Sequence, residues 1–238
     1  MANPHFQNMI LWAGNTDVSE QKKDQPMFMP YPSDQTFYGY FNDFMTYNSG
    51  DWTVTTTEAG TGSASEAVTS SAGGALLLTN AAGDDDLDFL QLKGEAFRLS
   101  ASKKAYFSAR FKVSDATQSD FVMGLHITDT SPLDVTDGIF FISADGAATL
   151  DFQVEKDNTA TTTSSVATMA NDTFITTSWF IDPDRDALYY SINNGTPLKS
   201  VATNLPNDED LTISFGIQNG EAVAKTMTID YITMMVER

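Results

Sequence analysis

The chain has 238 residues, 32 acidic against 13 basic side chains, and a net charge of −19. It has no cysteine, which excludes disulfides and thiolate metal sites. The basic residues form no cluster, so nucleic-acid binding lacks its electrostatic footprint and an acidic membrane surface would repel the chain. No stretch approaches the ~20 apolar residues of a membrane span. Asp outnumbers Glu 24 to 8, and Thr and Ser are abundant. Asp favours turns and Thr favours strands, so an all-β chain is expected.

Residues 1–36 stand apart from the rest. Their "MILWA" run is too short, and has the wrong flanks, for a signal peptide. The stretch "GNTDVSEQKKDQPMFMPYPSDQ" is polar, proline-containing and aperiodic. It predicts an extended N-terminal arm. Trp12, Met27, Phe28, Met29 and Tyr31 are its candidate partner-binding anchors. A poorly ordered terminus is the plainer alternative.

Residues 37–238 carry repeated strand signals. The runs are 37–44, 51–57, 75–80, 88–92, 105–113, 121–127, 138–143, 149–155, 173–181, 187–192, 211–217 and 226–236. In "AYFSARFKV" (105–113) Ala105, Phe107, Ala109, Phe111 and Val113 share one face, and Tyr106, Ser108, Arg110 and Lys112 the other. Turn signals such as "KDN" (156–158) and "NNG" (193–195) separate the runs. No amphipathic helix of three turns is visible. A dozen strands are too many for one open sheet, so a two-layer antiparallel β-sandwich of jelly-roll type is predicted.

The run "GDDDLDFL" (83–90) is the densest cluster of chemistry-bearing residues. Three consecutive Asp side chains cannot converge on one calcium ion. The alternating Asp182, Asp184 and Asp186 lack the Gly and Glu that would complete an EF-hand loop. A glycosidase needs two carboxylates facing one groove. No Glu-x-Asp-x-(x)-Glu strand occurs, and Glu58 and Glu66 lie in a Gly/Ser/Thr-rich run. "GDDD" is therefore read as a solvated turn, with Asp88 at a strand edge where its charge would discourage edge pairing. The acids at 182–186 are read as a turn facing water. His5 and His126 form no ligand pair, and His126 is expected to be packed or solvated. No P-loop, Rossmann or nucleophile-elbow motif is present. No catalytic residue, metal or cofactor is assigned.

Three segments resemble concanavalin-like (laminin-G-like) jelly rolls: 103–130, "SWFIDPDRDALYYSINNGTPL" (178–198) and the closing "MTIDYITMMVE" (227–237). The irregular arm, the cysteine-free acidic sandwich and the missing catalytic signature are together similar to decoration (cement) proteins of tailed-bacteriophage heads. That resemblance implies a non-enzymatic virion structural protein, assembled in the host cytoplasm. It would bind the major capsid protein lattice at the capsid surface as a homo-oligomer, a trimer being the expectation, and stabilise the head. The alternative is a carbohydrate-binding jelly-roll module. For it, Trp52, Trp179, Tyr189 and Tyr190 are candidate sugar platforms if exposed, with Trp179 in the core as the plainer expectation.

Overall fold

The structure, a computed structural model, describes residues 37–238. The arm residues Trp12, Met27, Phe28, Met29 and Tyr31 lie outside the described residues.

Fifteen strands, numbered in chain order, build two antiparallel sheets. The eight-stranded sheet runs β13 (Leu198–Ser200), β12 (Ala187–Ile192), β11 (Ile175–Asp182), β6 (Ala105–Val113), β15 (Thr226–Glu237), β4 (Leu76–Thr79), β3 (Ser65–Val68). β1 (Phe37–Asn42) lies beside the C-terminal half of β15. The seven-stranded sheet runs β10 (Thr159–Thr168), β9 (Thr149–Lys156), β8 (Gly138–Ser143), β7 (Ser119–His126), β14 (Thr212–Asn219), β5 (Leu87–Leu92), β2 (Trp52–Thr57).

The core lies between the layers. β6 contributes Phe107 and Phe111, as its alternation predicts, and both are fully buried. Phe107 stacks on Trp179 with centroids 5.8 Å apart, and Phe111 meets Phe121 of the facing sheet edge-on at 5.8 Å. Phe141, Phe152 and Phe215 continue the layer. Truncating one such ring to Ala costs about 3–5 kcal/mol.

Three strands carried no signal in the sequence: β3, β10 and β13. β10 reads TATTTSSVAT and has no apolar face to mark it. Its hairpin with β9 turns on Asp157 and Asn158, both at positive φ (49° and 59°), the geometry of a type I′ turn.

Two expectations about the acid-rich turns are corrected. Of "GDDD", only Asp84 and Asp85 face water; Asp86 is buried because its carboxylate is a hydrogen-bond hub. Asp88 is not at an edge, since β5 lies between β14 and β2. It faces inward, on the side of β5 that carries Leu90 into the core. At 182–186, Asp184 and Asp186 are exposed, but Asp182 is buried. Asp182 accepts from the Asp184 N–H at 3.1 Å and pairs with Arg185 at 2.5 Å, capping the 3-10 turn Pro183–Arg185.

Candidate functional site

The aromatic candidates for a sugar platform are mostly core residues. Trp52 is 3% exposed, Trp179 0% and Tyr190 8%. Trp52 packs edge-on against Phe215 at 5.2 Å, and Tyr190 lies against Phe152 at 5.7 Å. Tyr189 alone of the four is half-exposed, on the outer face of the eight-stranded sheet beside Phe180 and Tyr106. No coplanar exposed pair forms from these four.

The outer face of the seven-stranded sheet divides into two halves. Across β5, β14, β7 and β8, aromatic rings lie over glycines. A Cβ on Gly216 would come within 2.4 Å of the Phe89 ring and one on Gly138 within 2.7 Å of the Phe140 ring, while one on Gly124 would meet Phe140 Cα and Cβ at 2.5 Å. The connection 127–137 then covers this half, placing Ile127, Leu133 and Val135 over Leu87, Phe89, Val122 and Phe140. Gln91 ties it down: its Nε2 donates to the Ile127 carbonyl at 3.0 Å and its Oε1 accepts from the Asp129 N–H at 3.2 Å. β5 therefore has both faces covered, which is why its sequence shows no clean alternation.

His126 lies under this cover and is fully buried. Its Nδ1 donates to the Ile127 carbonyl at 2.6 Å, while Nε2 has no partner and the ring sits between Phe89 and Phe140. Burial pushes its pKa down to about 4, so the imidazole is neutral near pH 7. A neutral ring closed off by apolar groups is a packing residue.

The other half of the same face is more open: Asp151 and Gln153 are half-exposed, while Glu155, 8% exposed, is buried. Along β9, Asp151, Gln153 and Glu155 point outward, because Leu150, Phe152 and Val154 point into the core. Gln153 is held from both sides: its Nε2 donates to Glu155 Oε2 at 2.8 Å, and its Oε1 accepts from Thr162 Oγ1 of β10 at 3.2 Å. Burial raises the Glu155 pKa; the Gln153 bond opposes this, and Asp134 and Asp137 reinforce it. Asp137 ties its own strand end to the β9–β10 turn, accepting from Thr136 Oγ1 at 2.9 Å and the Asp157 N–H at 3.1 Å. Both its oxygens are thus engaged in holding backbone and turn. This strip was not singled out in the sequence; the alternation of TLDFQVE was its only trace.

The acid-rich turn has a structural task. Asp86 accepts from the N–H groups of Ala59 (2.5 Å), Gly60 (3.0 Å) and Gly83 (2.6 Å), and these bonds hold its pKa below the usual value. Asn80 and Asn219 lace the same turn to the ends of β14 and β15. Asp88 is different. Among the described residues no donor reaches either of its oxygens, and Glu66 of β3 is the acidic side chain that acts on it most strongly. Burial first, then Glu66, push its pKa up to about 8. Two facing carboxylates have no hydrogen between them, so the pair becomes a hydrogen bond once one of them takes a proton, as the raised pKa of Asp88 favours. Tyr47 Oη donates to Glu66 Oε2 at 3.4 Å from the other side. Among the described residues, no three His, Asp or Glu side chains converge as metal ligands.

No protein-family model matches the chain, and no curated protein sequence does. Solved structures do resemble it. A protein of unknown function from Shewanella oneidensis MR-1 superposes with a TM-score of 0.60 at 16% identity, covering 94% of this chain and 95% of its own. The endo-1,3-beta-glucanase of Streptomyces sioyaensis gives 0.61 at 12% identity, over 88% and 99% of the two chains. Peanut lectin gives 0.54 at 10% identity, over 84% and 97%. The likeness extends over both sheets, and the fold of this chain is a concanavalin-like jelly-roll sandwich.

Proposed function

We propose that the chain is a non-catalytic carbohydrate-binding module, with the glycan lying on the open half of the outer face of the seven-stranded sheet. The observation that carries this reading is the strip of Asp151, Gln153, Glu155 and Thr162. It sets a fixed carboxamide between a carboxylate and a hydroxyl, on a rigid sheet, next to the wall formed by connection 127–137. Sugar hydroxyls need such paired donors and acceptors in fixed positions. Structural neighbours that include lectins and glucanases support the ligand class.

The non-catalytic part rests on the engaged carboxylates. Glu155 has a raised pKa, as a general acid would, but Asp137 spends both oxygens on Thr136 and the β9–β10 turn, and Asp134 stands exposed on the connection 127–137. Screening the full chain against immobilised β-glucans and other glycans tests the reading. Binding is expected, and Gln153→Ala should weaken it about tenfold, or ~1.4 kcal/mol. Binding to no glycan, or binding indifferent to Gln153→Ala, overturns it.

A second reading is the capsid decoration protein, held on a major capsid protein at the virion surface as a trimer. It is supported by the acidic composition and by one observation in the fold: among the described residues, β1 pairs on one side only, with β15. Co-sedimentation with capsids lacking decoration protein would support it; a monomer that ignores such shells would contradict it.

A further inference from the structure

We infer that the glycan held on the strip carries free amino groups, and that Glu155 is the residue that selects them; the inference rests on the carbohydrate-binding reading of that strip. Lys156 is the only Lys or Arg in the seven strands of this sheet, and its Nζ is taken up by Asn207 at 2.7 Å and Asp208 at 3.0 Å. The charged residues that these strands turn outward are all acids: Asp120, Asp151 and Glu155. The connection 127–137 adds Asp134 and Asp137, whose charges act on Glu155. The opposite layer differs: β6 turns Arg110 and Lys112 outward, paired with Asp230 and Asp172. On the strip a uronate or a sulfate would meet like charge, and an ammonium opposite charge.

Negative charge by itself would attract any cation, and Glu155 narrows the choice. Its side chain faces outward, yet the residue is only 8% exposed. In the ladder it stands between Gly138 of β8 and Ala160 of β10, neither of which has a polar side chain. The Phe140 ring fills the place that a side chain on Gly138 would take, so an apolar wall lies there instead of a donor. Among the described residues only Gln153 donates to the carboxylate, at Oε2, and Oε1 accepts no hydrogen bond. A carboxylate so buried and half-satisfied is costly in its charged form, in keeping with its raised pKa. A ligand ammonium supplies both the donor for Oε1 and the opposing charge, where a sugar hydroxyl supplies the donor only. Gln153 keeps one N–H for a neighbouring hydroxyl. Asp151 lies four residues along the same face, ~13 Å away, so it addresses a different sugar ring. One of its oxygens accepts from the Ser165 N–H at 2.7 Å and the other is left for the ligand.

Calorimetric titration of the full chain at about 0.15 M salt tests this, with β-1,4-linked tetramers of glucosamine, N-acetylglucosamine and glucose, which differ only at C2. The glucosamine tetramer should bind at least ~10-fold more tightly than the other two. Glu155→Gln keeps an acceptor for Gln153 and should remove most of that preference, with the thermal midpoint reporting that the variant is folded. Asp84→Asn removes the same charge from an exposed turn before β5, four strands from β9. At ~4.8 Å per strand that charge is screened from the strip, and the preference should persist. Equal affinity for the three tetramers, or a preference for glucosamine that survives Glu155→Gln, overturns the inference and leaves the carbohydrate reading standing. A tetralysine peptide that binds as tightly as the glucosamine tetramer also overturns it, because charge alone would then suffice. Binding of no glycan at all overturns the inference together with that reading.

Discussion

At the scale of single residues, two buried groups titrate in opposite senses. The Asp88 pKa rises from 3.8 to about 8, so the folded chain holds a proton that the unfolded chain has released, and stability falls as pH rises through that window. The His126 pKa falls from 6.5 to about 4, so its contribution is lost as pH falls through that window. Between pH 4 and 6.5 the two slopes cancel. From 6.5 to 8 only Asp88 remains, and stability should fall by up to ~2 kcal/mol. Asp88→Asn should flatten this decline, because its amide can donate to Glu66 at any pH. Urea unfolding at pH 6.5 and pH 8 on both chains checks this; a wild type equally stable at both shows Asp88 to be ionised. Asp86 acts through geometry. Asp86→Ala strips three backbone N–H groups of their acceptor. It should lower the thermal midpoint much more than Asp84→Ala, whose side chain is exposed. Matching midpoints would show that the turn is held by the Asn80–Asn219 bonds alone.

At the scale of elements, the connection 127–137 covers half of the outer face of the seven-stranded sheet. Leu133→Asp would put a charge over Phe89 and Phe140 and should lift the cover. The expected result is a loss of about 2–4 kcal/mol with the sandwich still folded, read by unfolding and by near-ultraviolet circular dichroism. No change would mean that Leu133 carries none of the packing. Strand legibility followed burial. β6, β8 and β12 match their sequence readings residue for residue, because alternation or a short apolar run bounded by turns marks them. β3, β10 and β13 stayed hidden because they are edge or near-edge strands of Ser, Thr and mixed residues, held by pairing and not by an apolar face. The roles of Asp86 and Asp88 were illegible for another reason. Asp86 bonds the 59–60 backbone, more than twenty residues away, and Asp88 meets Glu66 across the two layers, so nothing in local spacing announces either.

At the scale of the whole molecule, a rigid sandwich carries one half-covered face and one open polar strip. Under the proposed reading that arrangement serves recognition: the strip fixes donors and acceptors, Asp137 spends its oxygens on Thr136 and the β9–β10 turn, and Asp134 lies exposed beside Glu155. The sequence foretold the two-layer fold through its periodicity and turns. It could not foretell the strip, because Gln153 is held in place only by Glu155 and Thr162, one on its own strand and the other across the hairpin. The measurement that bears most directly on this account is a calorimetric titration of the full chain with the best-binding β-glucan oligosaccharide, followed by assay of the same sample for new reducing ends. A saturable heat with no new reducing ends is the expected result. The absence of saturable binding, or reducing ends that accumulate with time and vanish in Glu155→Gln, would contradict it.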